Sequence, residues 1–349
     1  MRGLVLIVAT GLVGPLQAAT FCVDTAAAFD TALSDASNNF ENDEIRLEVG
    51  TYNAVPGGFT MLVDDSADVK ISGGWHDLHL GNITVPCGLQ TDSVWDTVLN
   101  GQSSTEILTV WALDNNLTID ISNLNFMNGH VPDDDGAGLF LLAADSATFM
   151  VRNCAFINNT GRFGSGLTAS SDQLIVFNNL FALNTATANF AAASLTVTDG
   201  GLAQISNNTI VSNFGTEAND DGGLRIGGDG DAVLANNLAW GNDGVDLILM
   251  PTGAPYELLF NAYDSFSGAT SASSTGNIFE PTPDFEDGLF NYRLKRTSEL
   301  VDAGTASFTG WISAKDLDGL PRVIGPQIDI GAFENDVLID NGFDGSSPF

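Results

Sequence analysis

One spacing constrains this chain more than any other: Gly or Asn returns every 24 to 30 residues through most of its length. Gly tolerates a positive φ without steric cost, and Asn accepts one more readily than most side chains do. We therefore predict that each repeat turns one left-handed corner. Repeats of this length are typical of solenoid proteins. The predicted corner residues are Gly50, Gly74, Gly101, Gly129, Asn159, Asn184, Asn213 and Asn242.

A second column of asparagines lies six residues before the later corners, and an apolar residue stands three positions after each of them. In stacked coils, like side chains lie over one another, so we predict a ladder of buried amides that bond from coil to coil. Phe126, Phe156 and Phe181 are expected to form an internal aromatic stack. Cys154 takes the place that Asn179, Asn208 and Asn237 hold in sibling repeats, which predicts a buried ladder position for it. The predicted ladder asparagines are Asn123, Asn153, Asn178, Asn207 and Asn236.

A third column, Gly-x-Gly-Leu, opens short segments in which apolar and polar residues alternate. Alternation of this kind is typical of half-buried strands, and the segments lack the periodicity of paired-helix repeats. We predict an all-β fold, a parallel β-helix with three short strands per coil. About nine coils spaced about 4.8 Å apart would make a rod on the order of 40 Å long. The column includes Gly136 to Leu139, Gly164 to Leu167 and Asp221 to Leu224.

These repeats resemble the right-handed parallel β-helix of the pectin-lyase-like superfamily, and their Phe-x-x-Asn and Gly-Gly-Leu elements are similar to the repeats of polymorphic outer-membrane adhesins. Four C-terminal motifs resemble the closing module of bacterial choice-of-anchor Q domain proteins, and that resemblance covers roughly residues 20 to 334. It implies a right-handed β-helix at a cell surface, in a family that is not defined by one activity. The motifs are Asn291 to Leu294, Ser298 to Gly304, Asp316 to Arg322 and Asp329 to Glu334.

The chain divides into a signal peptide (1–19), an N-terminal cap (20–44), coils (45–267), a C-terminal cap module (268–334) and a tail (335–349). A short amphipathic helix from Asp24 to Ala36 is placed to cover the open end of the solenoid. In the C-terminal module we expect Arg322 to pair with its acidic neighbours and so fix the final coil. Those neighbours are Asp316, Asp318, Asp329 and Glu334.

Export is predicted from the first residues, where one positive charge precedes a short apolar core and small residues follow. A secreted or surface-held protein would meet oxidising conditions, in which Cys22 and Cys87 are able to pair. The chain has 44 acidic and 11 basic residues, a net charge of −33. Such a surface repels nucleic acid and anionic lipid. No transmembrane segment is predicted in the mature chain, and the oligomeric state stays open.

Acidic loops suggest Ca²⁺ as a cofactor, because clustered carboxylate oxygens are the ligands that this ion prefers. In a β-helix, loops at equivalent positions lie on one side of the rod. The opposing interpretation is that these loops are solvated surface, as is usual in an acidic chain. The candidate ligands are Asp133, Asp134, Asp135, Asp220, Asp221, Asp229 and Asp231.

Two functions remain open at this stage. The first is an adhesin-like binding or structural role, in which rigid lateral faces contact a polysaccharide or a cell-surface protein. The alternative is a Ca²⁺-dependent polysaccharide lyase or another carbohydrate-active enzyme, because lyases of the superfamily that this chain resembles use Asp-bound Ca²⁺ and an Arg base. Arg225 beside Asp221 is the nearest match, and Arg162 is a second candidate. The net charge of −33 would repel a polyuronate substrate unless a metal ion bridged the protein and the polymer.

Overall fold

Parallel strands stacked coil upon coil dominate the computed structural model, so the predicted parallel β-helix is confirmed. The structure describes residues 18–37, 39–114, 116–216, 221–251, 255–268, 273–287 and 291–335. The predicted signal peptide and tail therefore lie almost wholly outside the described residues. Within the described ranges, no helix has the length and apolar character needed to cross a membrane.

The strands lie in four columns, which we name the first to fourth face in the order that the chain visits them. Four middle coils contribute to all four columns, one strand more than predicted, whereas the coils on either side of them lack the third face and have the predicted three strands in the described residues. Two long strands, Leu167–Phe177 and Ala193–Ser206, run from the fourth face of one coil into the first face of the next. They belong to both faces.

The first face contains, besides the second halves of those two long strands, Thr20–Val23, Asp43–Glu48, Val69–Leu80, Leu117–Ser122, Ala147–Arg152, Asp231–Ala235, Tyr256–Leu259 and Ser273–Thr275. The second face contains Gly50–Asn53, Thr97–Asn100, Asn125–Met127, Ala155–Ile157, Leu180–Ala182, Thr209–Val211, Leu238–Trp240, Ala262–Tyr263 and Ile278–Phe279.

The third face is short and contains His130–Val131, Thr160–Phe163, Thr185–Asn189 and Phe214–Gly215. The fourth face contains, besides the first halves of the two long strands, Phe59–Val63, Leu108–Ala112, Leu139–Ala143, Leu224–Gly228, Leu247–Pro251 and Phe266–Gly268. Two antiparallel additions complete the described strands: Ile83–Gln90 pairs with Val69–Leu80, and Phe285–Asp287 pairs with Asn291–Leu294.

The core repeats with the coils because parallel pairing places equivalent residues directly over one another. Phe126 pairs in register with Phe156, and Phe156 with Phe181. Their ring centroids lie 4.9 and 4.8 Å apart, with planes only 8° and 5° from parallel. The predicted aromatic stack is therefore present, and it lies inside one continuous apolar cluster that also includes the N-terminal helix.

The N-terminal helix, Ala26–Asp35, covers the first coils as the apolar spacing predicts. Thr25 caps it, with its hydroxyl accepting from the backbone N–H of Ala28 at 3.3 Å. Phe29 is fully buried and packs edge-on against Phe59 and Tyr52. The helix thereby removes the apolar end of the solenoid from water.

The coils extend further than the sequence period indicates. Strands Ser273–Thr275 and Ile278–Phe279 still pair in parallel with the preceding coil, although both lie in the region predicted as the closing module. The backbone hydrogen bonds between coils do not require the Gly and Leu columns, which end earlier, and Asn277 continues the stacking of asparagines by accepting the N–H of Asn261 at 2.8 Å.

The C-terminal module packs along the side of the solenoid. Tyr292, Leu317, Ala332 and Phe333 bury the outward residues of the second face, among them Leu180. Backbone bonds tie the module to the corner beside that face, including Gly331 N–H to Asn236 O at 2.8 Å. The module therefore covers one lateral face over several coils.

The predicted acidic cluster around Arg322 is divided between two arginines. Arg322 is buried and lies 3.2 Å from a carboxylate oxygen of Glu334, while Arg293 pairs with Asp318. Arg322 also donates to Asn178 Oδ1 at 2.5 Å, so it attaches the module to the middle of the solenoid, contrary to the prediction that it fixes the final coil. Buried Asp316 and Asp329 accept backbone N–H groups within the module.

Candidate functional site

The two asparagine columns exchange the roles that we predicted for them. Of the predicted corner residues, Gly50 and Gly74 have a positive φ, whereas the later asparagines of that set do not. The left-handed corner falls instead on the column predicted as the amide ladder, with φ between 51° and 57°. We call this set the corner column: Asn123, Asn153, Asn178, Asn207 and Asn236.

Continuous amide ladders form in two other columns. One lies one residue after the corner column, and the other is the set of asparagines that we predicted as corners. The inner ladder comprises Asn179, Asn208, Asn237, Asn261 and Asn277, in which each side-chain oxygen accepts both the backbone N–H and the amide of the preceding rung, at 2.8 to 3.2 Å. Cys154 precedes it, with its N–H donating to Asn179 Oδ1 at 2.8 Å. A second ladder comprises Asn159, Asn184, Asn213 and Asn242.

The disulfide that the sequence allows is formed. Cys22 and Cys87 are joined across a sequence separation of 65 residues. The bond connects the first strand of the first face to Ile83–Gln90, the strand that projects from the solenoid as half of an antiparallel hairpin. It therefore fixes the base of that hairpin to the N-terminal coil.

The structure does not bring the predicted Ca²⁺ ligands together in one place. Asp135 pairs with Arg162 at 3.0 Å, and Arg162 also lies over the ring of Phe163. Asp221 accepts the N–H of Val245, and Asp229 accepts the N–H of Gly200. Asp220 lies outside the described residues. Within the described ranges, Asp133, Asp134, Asp135, Asp221, Asp229 and Asp231 provide no group of three carboxylates close enough to share an ion.

Arg225 lies on the outer side of the fourth face, as alternation along the strand predicts. Among the described residues its guanidinium donates to Thr196 Oγ1 at 3.0 Å and Leu195 O at 3.3 Å, and it lies 5.8 Å from the ring of Phe190. A side chain at Gly227 would collide with it. Burial lowers the pKa of Arg225. Through these contacts Arg225 links neighbouring strands of the fourth face, and the predicted pair between Arg225 and Asp221 is not formed.

A groove of about 580 Å³ lies between the first face and residues 311–319 of the C-terminal module. Trp311 forms part of its wall and is 49% exposed, with its ring stacked against Phe177 at 6.4 Å and 18°. Ser206 donates to the backbone oxygen of Trp311 at 2.5 Å, which fixes this segment against the solenoid. The half-exposed indole ring of Trp311 is therefore held in place by Phe177 and Ser206 and faces solvent in the groove; we call this ring the aromatic plate.

Two ion pairs flank the aromatic plate. Arg152 and Asp120, which lie on strands of neighbouring coils, form a bidentate pair at 3.0 and 2.9 Å. Lys315 pairs with Asp92, and this contact links the module to the N-terminal part of the solenoid. The four charges of these two pairs cancel. The remaining carboxyl of the lining belongs to Asp316, which is buried and whose pKa burial raises to about 6, so the groove carries at most one net negative charge in a chain whose net charge is −33. Asp120 also lines a smaller groove of about 330 Å³ that continues along the first face to Lys70 and Glu44.

The sequence gives only a weak signal for this site. Tryptophans are a recognised platform for flat ligands, but nothing local distinguishes exposed Trp311 from buried Trp75. Arg152 and Asp120 are separated by 32 residues. They meet because the strands Leu117–Ser122 and Ala147–Arg152 pair in parallel.

Comparison with protein-family models finds no match, and comparison with curated proteins finds none either.

Proposed function

We propose that this is a secreted or cell-surface binding protein whose lateral groove holds a neutral polar ligand, of which a neutral glycan is the best fit. The observation that carries the proposal is the half-exposed Trp311 ring, stacked on Phe177 and flanked by two ion pairs. Binding sites commonly combine an aromatic surface with a few fixed polar groups that set orientation. A sugar ring has an apolar face for Trp311 and hydroxyl groups for Arg152 and Asp120.

Charge supports a neutral ligand over an anionic one. Outside the groove, the acidic surface repels polyuronates and other polyanions. Within it, the paired charges of Asp92, Asp120, Arg152 and Lys315 offer donors and acceptors and cancel one another, which leaves the buried Asp316 as the remaining carboxyl of the lining. Export is supported by the N-terminal sequence and by the Cys22–Cys87 disulfide, a bond that persists under oxidising conditions.

Native gels cast with soluble polysaccharides test this proposal. Neutral polymers should retard the protein, whereas polyuronates should not. Trp311→Ala should weaken the retardation by at least about tenfold in Kd, because truncating a central aromatic contact typically costs about 2 kcal/mol or more. Trp111→Ala is the matched control, since Trp111 lies on the outer side of the fourth face beside Phe140.

Equal binding by the two tryptophan variants would contradict the assignment of the groove. Strong retardation by polyuronates alone would contradict the charge argument. The lyase alternative predicts unsaturated products when uronate polymers and Ca²⁺ are supplied, and their loss in Arg225→Ala. Because Arg225 braces the fourth face, we expect neither products nor an effect of that substitution on glycan binding.

A further inference from the structure

Three metal-binding side chains meet at the N-terminal end of the solenoid, away from the residues that line the groove. Cys22 Sγ lies 3.5 Å from Glu48 Oε1, and Cys87 Sγ lies 4.0 Å from the same oxygen. Each residue belongs to a different strand: Thr20–Val23, Asp43–Glu48 and Ile83–Gln90. Parallel pairing of the first two strands and the hairpin on the third hold the three side chains together.

Further acidic groups surround this cluster. The carboxyl of Asp77 lies close enough to that of Glu48 to affect its pKa, as do Asp24 and His76. Burial and then the charges of Asp77 and Asp24 raise the pKa of Glu48, against a smaller opposing effect of His76. The Arg46 guanidinium is directed to the backbone oxygen of Cys87, to the Glu44 carboxylate and to the Trp75 ring. A cation between Glu48 and Asp77 would relieve the repulsion of their charges.

We propose that reduction of the Cys22–Cys87 disulfide creates a zinc site, with both thiolates and the Glu48 carboxylate as the protein ligands and the fourth position left to solvent. A dithiol supplies the two electrons and two protons: the protein S–S bond breaks, two protein thiols form, and the dithiol becomes a disulfide. Zn²⁺ then binds two thiolate sulfurs and releases the two thiol protons. Tetrahedral coordination by sulfur and carboxylate oxygen is what Zn²⁺ takes in proteins.

Thiolates also decide which metal binds. Soft sulfur ligands favour zinc over Ca²⁺ and Mg²⁺, which require oxygen ligands. In the oxidised protein the two sulfurs carry no charge and are bonded to each other, so only the carboxylates remain. The site therefore exists in one redox state, and its metal affinity reports the state of the disulfide. This proposal is independent of the glycan groove.

Cobalt titration of the full chain tests the proposal. The protein is reduced with dithiothreitol, desalted without oxygen and titrated with Co²⁺, then with Zn²⁺. We expect one equivalent of Co²⁺ with cobalt–thiolate absorption in the near ultraviolet, lost when Zn²⁺ displaces it, and no such absorption from oxidised protein. Zn²⁺ should raise the melting temperature of the reduced protein only, because the metal binds the folded state.

Variants separate the proposed site from general binding by acidic side chains. Glu48→Gln should weaken zinc affinity at least about tenfold, since even supporting groups around a metal contribute 10- to 100-fold. Cys22→Ser with Cys87→Ser should abolish the cobalt absorption. Cys154→Ala should retain it, because Cys154 is buried in the core beside the inner ladder.

Three results would overturn the proposal: reduced, folded protein without the cobalt–thiolate absorption; equal zinc affinities of Glu48→Gln and the natural chain; or loss of β-structure on reduction that Zn²⁺ does not reverse. Circular dichroism recorded on each sample distinguishes the first result from the third.

Discussion

Two asparagine columns run side by side through this solenoid, one residue apart in sequence. One contributes side-chain hydrogen bonds, and the other contributes a backbone conformation. Asn208, in the inner ladder, uses its side chain: it makes four bonds to Asn179, Asn237 and Val176. Asn207, in the corner column, is equally buried, but its side-chain atoms find no hydrogen-bond partner among the described residues. What it contributes is a backbone φ of 51°.

The corner column has a further use where the C-terminal module meets it. Asn178 accepts from Arg322 and donates to the backbone oxygen of Lys315, and Asn236 exchanges bonds with the backbone of Thr305. The comparison shows that one residue type holds the coils together through its amide and shapes the chain through its backbone. Substitutions in the two columns should therefore have unequal effects.

The largest effect is expected from Asn208→Ala. Four buried hydrogen bonds are lost at about 1 kcal/mol each, and the buried Asn179 N–H loses its acceptor, so the free energy of unfolding should fall by about 4 kcal/mol or more. Urea unfolding followed by circular dichroism measures the change. A loss below about 1 kcal/mol would mean that the inner ladder does not hold the coils together.

The next effect concerns the module that the corner column anchors. Burial raises the pKa of Glu334 to about 8 and that of Asp316 to about 6. The folded state therefore binds protons that the unfolded chain releases, so this contribution to stability is fully present below about pH 4 and is lost as the pH rises to about 8. We expect the melting temperature to fall over this range.

Glu334→Gln should flatten that pH profile, because the amide does not ionise, although the variant also replaces the carboxyl oxygen that lies 3.2 Å from Arg322. Asp231→Asn, which removes an exposed carboxylate on the first face, serves as the control and should leave the slope unchanged. An unchanged slope in Glu334→Gln would contradict the assignment of the titration to this buried carboxyl.

A smaller, stabilising effect is expected where the inner ladder begins. Cys154 Sγ lies 3.7 Å from Ile121 O, the place where Asn179 donates to Val151 O one coil later. Cys154→Asn should therefore add a rung and raise the free energy of unfolding by about 1 kcal/mol. Cys154→Ala, which cannot make these bonds, is the comparison. Lower stability of the asparagine variant than of the alanine variant would show that the coil cannot accommodate the amide.

The smallest effect is expected at Asn207. Glycine adopts a positive φ freely, so Asn207→Gly should change the free energy of unfolding by no more than about 0.5 kcal/mol. Asn207→Ala should cost about 1 kcal/mol, because alanine adopts this left-handed backbone region less readily than asparagine does. If Asn207→Gly proved as damaging as Asn208→Ala, the distinction between the two columns would be lost.

The candidate groove shows where sequence reasoning stops. Its residues carry no shared motif, and Arg152, Asp120 and Trp311 come from two coils and the C-terminal module. Arg225 and Asp221, which stand four residues apart, looked like a site because closeness in sequence is all that a sequence shows. In a β-helix the residue one coil away is a nearer neighbour than many residues within the same loop.

The sequence alone determined the repeat, the parallel β-helix, the capping helix and the Phe126–Phe156–Phe181 stack, because a regular period in side-chain type forces like residues to superimpose. Only the tertiary structure decided which asparagine of each neighbouring pair turns inward, and that the C-terminal module lies along the second face. Both depend on the direction in which a side chain leaves the backbone at a corner. That direction is set by φ and ψ and by contacts distant in sequence, which residue spacing does not record.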